Sequence, residues 1–152
     1  MSQVTLKVGD LFEIPLRDGR RAYGQYLHWG KLGYLIRVFD AISTEEMRVE
    51  LLKTASQLFP PVYVGLRPAI RCGRWRLLGN IPVQGFVHPV FRSTNGLEPG
   101  TYHDWHIWDG DTEVFVGELQ PEHLELEFEC SWGTDLLEQR IMTGEDWHRR
   151  LL

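Results

Sequence analysis

Positive charge is missing from a long stretch of this chain: between Arg92 and Arg140 there is no Lys or Arg, yet the interval holds twelve Asp and Glu residues. A field this one-sided disfavours nucleic acid at that half and suits a cationic partner. Cysteine is scarce as well. Cys72 and Cys130 make neither a CxxC pair nor a dense framework, so two buried thiols and no disulfide are expected. Long apolar runs are absent, and Lys7, Asp10 and Glu13 interrupt the opening segment. That excludes a secretory h-region and a helical membrane span, and leaves a soluble cytoplasmic protein as the expectation. The GxGxxG, P-loop and HExxH patterns do not occur, which removes the familiar nucleotide and metalloprotease chemistries.

What is present suits a folded core. The 152 residues are 43% hydrophobic and 12% aromatic, with no internal repeat or Gly/Ser-rich linker, so residues 1–152 are expected to form one domain. The net charge of −5 hides a split: residues 1–92 carry 13 Lys/Arg and 7 Asp/Glu, whereas residues 93–152 carry 3 and 14.

Local patterns are those of a strand-rich chain. Residues 11–16 and 22–29 flank Asp18-Gly19, a hairpin signal, and residues 34–39 form a further apolar run. Ser43 with Glu46 fits a capping box, and Met47, Leu51 and Ala55, with Leu52 beside them, predict an amphipathic helix over about 44–55. Residues 62–66 and 75–78 are expected as strands, as are 102–108 and 113–117 about the Asp109-Gly110 turn. Strict alternation over 124–130 predicts a strand with Leu124, Leu126, Phe128 and Cys130 inward and Glu125, Glu127 and Glu129 outward. Asp135 and Glu138 can cap a last helix over about 135–143, ending near Gly144. The fold class is α+β: a β-rich single domain, a mostly antiparallel twisted sheet or partly open barrel with two helices.

Three groups of residues invite chemistry. His103, Asp104 and His106 precede Asp109, and His and Asp are ligands for divalent ions, but on a strand only Asp104 and His106 share a side. Arg67, Arg71, Arg74 and Arg76, with Trp75 among them, form a basic cluster of the type that faces phosphates. Cys130 falls on the apolar side of its strand, where a thiol is inert, and no serine sits in a nucleophile elbow. The row Glu125, Glu127 and Glu129 is the most specific feature, because like charges about 7 Å apart repel without a neighbouring cation.

The chain resembles the immunity protein 26 family of bacterial polymorphic toxin systems. The resemblance rests on Val8-Gly9-Asp10-Leu11-Phe12-Glu13-Ile14-Pro15-Leu16, then Asp18-Gly19 and Ala22-Tyr23-Gly24-Gln25, and on Gly73-Arg74-Trp75-Arg76-Leu77-Leu78-Gly79-Asn80-Ile81-Pro82. Val38-Phe39-Asp40 and Val64-Gly65 agree in order between them. It implies a small cytoplasmic, non-enzymatic protein that protects its producer by binding a cognate toxin domain, of which a basic nuclease is one kind. The family supplies no residue set to carry over. The charge pattern instead nominates Asp109, Asp111, Glu118, Glu122, Glu125, Glu127 and Glu129 as the toxin interface. No catalytic residue, metal, cofactor, membrane or obligatory small molecule is expected. The alternatives are an SH3-like module for nucleic acid or peptide, and a metal-dependent hydrolase using Asp104 and His106.

Overall fold

Two turns set the first sheet. Asp18-Gly19, with Gly19 at a φ of +87°, joins β1 (Asp10–Pro15) to β2 (Arg21–Gly30), and a second turn closes on Gly33 at φ +100° to begin β3 (Gly33–Val38). Both positive angles lie where a Cβ is strained, which is why glycine stands there. The chain continues through α1 (Val49–Leu52), β4 (Val62–Val64), α2 (Leu66–Arg71), β5 (Arg76–Asn80) and β6 (Phe91–Thr94). It then passes β7 (Trp105–Trp108), β8 (Glu113–Gly117), a 3-10 turn at Pro121–His123, β9 (Glu127–Phe128), β10 (Ser131–Trp132) and α3 (Thr134–Thr143). These assignments come from a computed structural model that describes residues 4–94 and 104–146.

The chain forms two compact units, one from Met1–Phe86 with Ser131–Gly144 and the other from Val87–Cys130 with Glu145–Leu152. The first holds a six-stranded sheet in the order β10-β4-β3-β2-β1-β5, antiparallel except for the β10–β4 pair. The second holds a four-stranded sheet in the order β8-β7-β6-β9, with β6 and β9 parallel. The architecture is α+β with most regular structure in sheets and no closed barrel, as expected.

The core of the first unit is built on both faces of β1. Leu11, Tyr23, Phe39 and Leu52 cluster on one side, and Met47 and Ala55 pack against them. Phe12 crosses Gly24 on the neighbouring strand, where any Cβ would strike its ring, and stacks on Trp75 at 5.5 Å. Glycine at 24 is therefore a requirement of close approach. Glu13 and Glu138 are buried with partners: Glu13 meets Arg21 and Arg76, while Glu138 accepts from Arg74 Nε at 2.8 Å and from Trp75 Nε1 at 2.9 Å. Such pairing is what makes a buried carboxylate tolerable.

Several local expectations are corrected by tertiary contacts. The 44–55 helix shrinks to Val49–Leu52, because the Ser43 amide donates to the Arg21 carbonyl, the Ser43 hydroxyl donates to the Glu45 carbonyl and the Glu46 carboxylate pairs with Arg76. Those groups are then unavailable to a capping box. Leu52 is buried as the periodicity requires, whereas Leu51 is exposed. Leu66–Arg71 is helical where a loop with Arg67-Pro68 was expected, with Pro68 in the first turn, which lacks amide partners anyway. The last helix starts at Gly133 without a side-chain cap, since Asp135 and Glu138 are drawn to Arg74. It ends on Gly144 at φ +77°, as expected. Cys72 is exposed and Cys130 half-buried, which corrects the buried pair; no disulfide joins them.

Candidate interaction surface

All seven acidic candidates fall in the second unit, and their settings differ. The ring core of that unit consists of Phe91, Trp105 and Trp108, with His88 against Trp108 at 4.9 Å and Phe128 against Trp105 at 5.5 Å. Arg92 is the only Lys or Arg in residues 87–130, and it is 0% exposed, its guanidinium 4.6 Å from the Phe128 ring centre and 5.7 Å from that of Trp105. Its charge is inside the unit, shielded by rings that favour a cation over their faces. Residues 104–130 contain no Lys or Arg, so their exposed charges are all acidic: Asp104, Asp109, Asp111, Glu113, Glu118, Glu122 and Glu125.

The expected glutamate row does not form. Pro121 starts a 3-10 turn, the Leu124 amide donates to the Pro121 carbonyl and the Leu126 amide to that of His123, so the chain is still turning where alternation should begin. Only Glu127 and Phe128 pair as a strand, along β6. Glu127 is then 2% exposed and Leu124 45% exposed, the reverse of the alternating prediction; Glu125 is exposed and Glu129 half-buried. Pro121, pre-set for a first helical position, was the signal in the sequence that competes with a strand.

The β7–β8 hairpin carries the other candidates. The Asp109 carboxylate accepts the amides of Asp111 at 2.9 Å and Thr112 at 2.7 Å, and these hydrogen bonds hold it below the usual carboxylate range. Asp109 thus shapes the turn as well as charging it. Gly110 takes φ +98°, and a Cβ at that position would overlap the His88 ring. Beyond the turn, β8 is the edge of its sheet and exposes two apolar side chains, Val114 and Phe115, the latter 62% exposed with His106 edge-on at 5.2 Å. Composition alone did not pick them out, because an apolar triplet on a strand reads as core. Exposed apolar area rimmed by acids is a common form of protein-binding surface.

The residues of the other readings are placed elsewhere. Trp75 is 1% exposed and stacked on Phe12, so it offers no platform for a base. Arg74 pairs with Glu138 and Asp135, and Arg76 with Glu13 and Glu46; the carboxylates hold the Arg74 guanidinium above its ordinary value. Arg67 donates to the Tyr34 hydroxyl and the Val4 carbonyl. Asp104 is exposed and His106 packs on Phe115, while His103 lies outside the described residues. Among the described residues, no group of three or more His, Cys, Asp or Glu side chains is placed to hold a metal ion. No helix among them is long and apolar enough to cross a membrane.

The sequence model of one family, described as Immunity protein 26, matches residues 7–102, more than half of the chain. The matched segment spans β1 to β6, and every one of the seven acidic candidates lies beyond its end. Neither the curated proteins nor the solved structures compared with the chain gave a match.

Proposed function

Because the chain belongs to the immunity protein 26 family, we propose that it binds and neutralises one cognate bacterial toxin domain by stoichiometric occlusion, using the acidic surface of residues 104–130. The observation that carries this choice of surface is its charge: seven exposed acids in a segment without Lys or Arg, beside a strand whose one cation, Arg92, is buried. Asp109, Asp111, Glu118, Glu122 and Glu125 are the contact residues in this reading, with Glu129 at the margin. Glu127 is too buried to touch a partner and serves inside the unit. Val114 and Phe115 supply the apolar anchor that charge alone lacks, since binding energy concentrates in desolvated aromatic and aliphatic contacts.

The complementary partner is a toxin with a basic face, and the cationic substrate cleft of a nuclease fits that description. Attraction between opposite fields raises the encounter rate, which matters for a toxin made in the same cytoplasm as its inhibitor. The protein acts by binding, without catalysis or cofactor, and residues 1–152 serve as one inhibitor.

The test is co-expression with the toxin domain encoded beside it, scoring survival and co-elution on size exclusion, followed by association kinetics. Rescue with a one-to-one complex is expected. The triple reversal Asp111→Lys, Glu118→Lys and Glu122→Lys should slow association by about tenfold or more and flatten its salt dependence. Rescue with unchanged kinetics in that variant would move the interface off this surface; no rescue and no complex would overturn neutralisation itself.

A further inference from the structure

We propose that a cavity of about 420 Å³ in the first unit, beside Arg37 and Lys53, binds a small organic anion, a carboxylate or phosphate carried on an apolar body. The cavity opens between the end of β3, α1 and the segment that follows β5, and its size is within the range of metabolite sites. Phe39 and Leu52, both part of the buried cluster, form an apolar floor, and Ile81 and Pro82 add apolar wall. Arg37, Lys53 and Gln84 supply the polar lining.

Arg37 is held in place with unusual care for a surface-strand cation. Its Nε donates to Gln25 Oε1 at 2.8 Å and its Nη2 at 2.5 Å, which leaves Nη1 and one hydrogen of Nη2 to donate elsewhere, and Gln25 is its cross-strand partner in the β2–β3 ladder. Gln25 is fully buried, and its amide nitrogen donates to the Ile81 carbonyl at 2.7 Å and the Gly9 carbonyl at 3.3 Å. Those two bonds orient the glutamine so that its oxygen, the only acceptor left, meets the guanidinium. The guanidinium also lies 4.9 Å from the centre of the Phe39 ring.

The arrangement differs from that of the ion-paired arginines of the unit in one respect. Arg21, Arg74 and Arg76 each meet a carboxylate, while Arg37 meets only a neutral amide among the described residues. Burial pushes Arg37 below its ordinary value, and no acid offsets it. Lys53 brings a second cation to the same cavity and has no carboxylate partner among the described residues. A partly desolvated cation with donors to spare, positioned in advance, is the arrangement that makes an oxyanion hydrogen bond strong, and the guanidinium fork suits carboxylate and phosphate alike. The floor of Phe39 and Leu52 favours a ligand with an apolar body over a bare ion. All of its lining residues belong to the first unit, and the inference does not rest on the proposed toxin surface.

The experiment titrates the full chain with phenyl phosphate, benzoate, inorganic phosphate and phenol in parallel, following the Gln25 side-chain amide and the Lys53 backbone amide by NMR. Saturable shifts with phenyl phosphate or benzoate are expected, weaker ones with inorganic phosphate and none with phenol; whichever of the first two binds more tightly names the anion. Lys53→Gln, at an exposed position, should weaken binding about tenfold without touching the core, and Arg37→Lys should weaken it by losing the fork. Absence of saturation by about 10 mM would overturn the site. So would phenol binding as well as phenyl phosphate, or equal affinity in both variants and the natural protein.

Discussion

The two units treat charge in opposite ways. The first has 13 Lys/Arg and 9 Asp/Glu over residues 1–86 and 131–144, and its buried acids are paired: Glu13 lies between Arg21 and Arg76, and Glu138 between Arg74 and Trp75. In the second, residues 87–130 hold ten acids against Arg92 alone, with that cation buried beneath Trp105 and Phe128, and residues 145–152 add two acids and two arginines. Ion pairs that lie inside a fold hold elements together and leave little long-range field. Acids left without exposed cations do the reverse, since their potentials add in the surrounding solvent. The difference gives the ion pairs of the first unit structural work, and it is the ground on which recognition by the second unit is proposed.

Three substitutions or titrations would break or sharpen this contrast. The largest effect is expected at the core of the first unit: Phe12→Ala, which removes a fully buried ring stacked on Trp75, should cost about 3–5 kcal/mol. Urea unfolding checks it, with the midpoint lowered at unchanged slope; a loss below about 1 kcal/mol would show that this stack is not what the unit rests on. Next is Gly110→Ala in the second unit, where a positive φ and overlap with the His88 ring should cost about 1–3 kcal/mol. Amide exchange in β7 and β8 should accelerate while that of β2 and β3 stays slow; equal acceleration in both would mean that the two units open together.

The smallest effect is a pH dependence of the hairpin turn. Asp109 is held below the ordinary carboxylate range by the amides it accepts, so its contribution is present above about pH 4 and is lost as pH falls through the lower folded value. The Asp111 and Thr112 amide resonances should titrate with a midpoint below about 3.9, and Asp109→Asn should abolish that titration. A midpoint at or above that value would remove Asp109 from its place in the turn.

Much of the first sheet is legible in the sequence. Asp18-Gly19 and the apolar runs on either side identify β1 and β2, because a two-residue signal and an alternating pattern are both local. The β7–β8 hairpin was legible for the same reason, from Asp109-Gly110. The helix at 44–55 was misjudged since its capping residues found better partners far away, Ser43 in Arg21 and Glu46 in Arg76. Of the candidate surface, the acidic bias was visible, while the burial of Glu127 and the exposure of Phe115 were not.

Residues 124–130 show where the boundary falls. The excess of acid between Arg92 and Arg140 follows from composition, and no fold can change it. The hairpin turns and the Gly144 helix stop follow from torsional preference, which each residue carries with it. Which acids face solvent was decided by the strand partner: β6 takes up only Glu127 and Phe128, drawing one glutamate inward while Pro121 keeps the preceding residues turning. Likewise Arg37 and Gln25 are twelve residues apart and become neighbours only through the β2–β3 register. Charge and turn propensity are properties of the residues themselves, but burial and pairing belong to contacts between distant segments, and these exist only once the chain has folded.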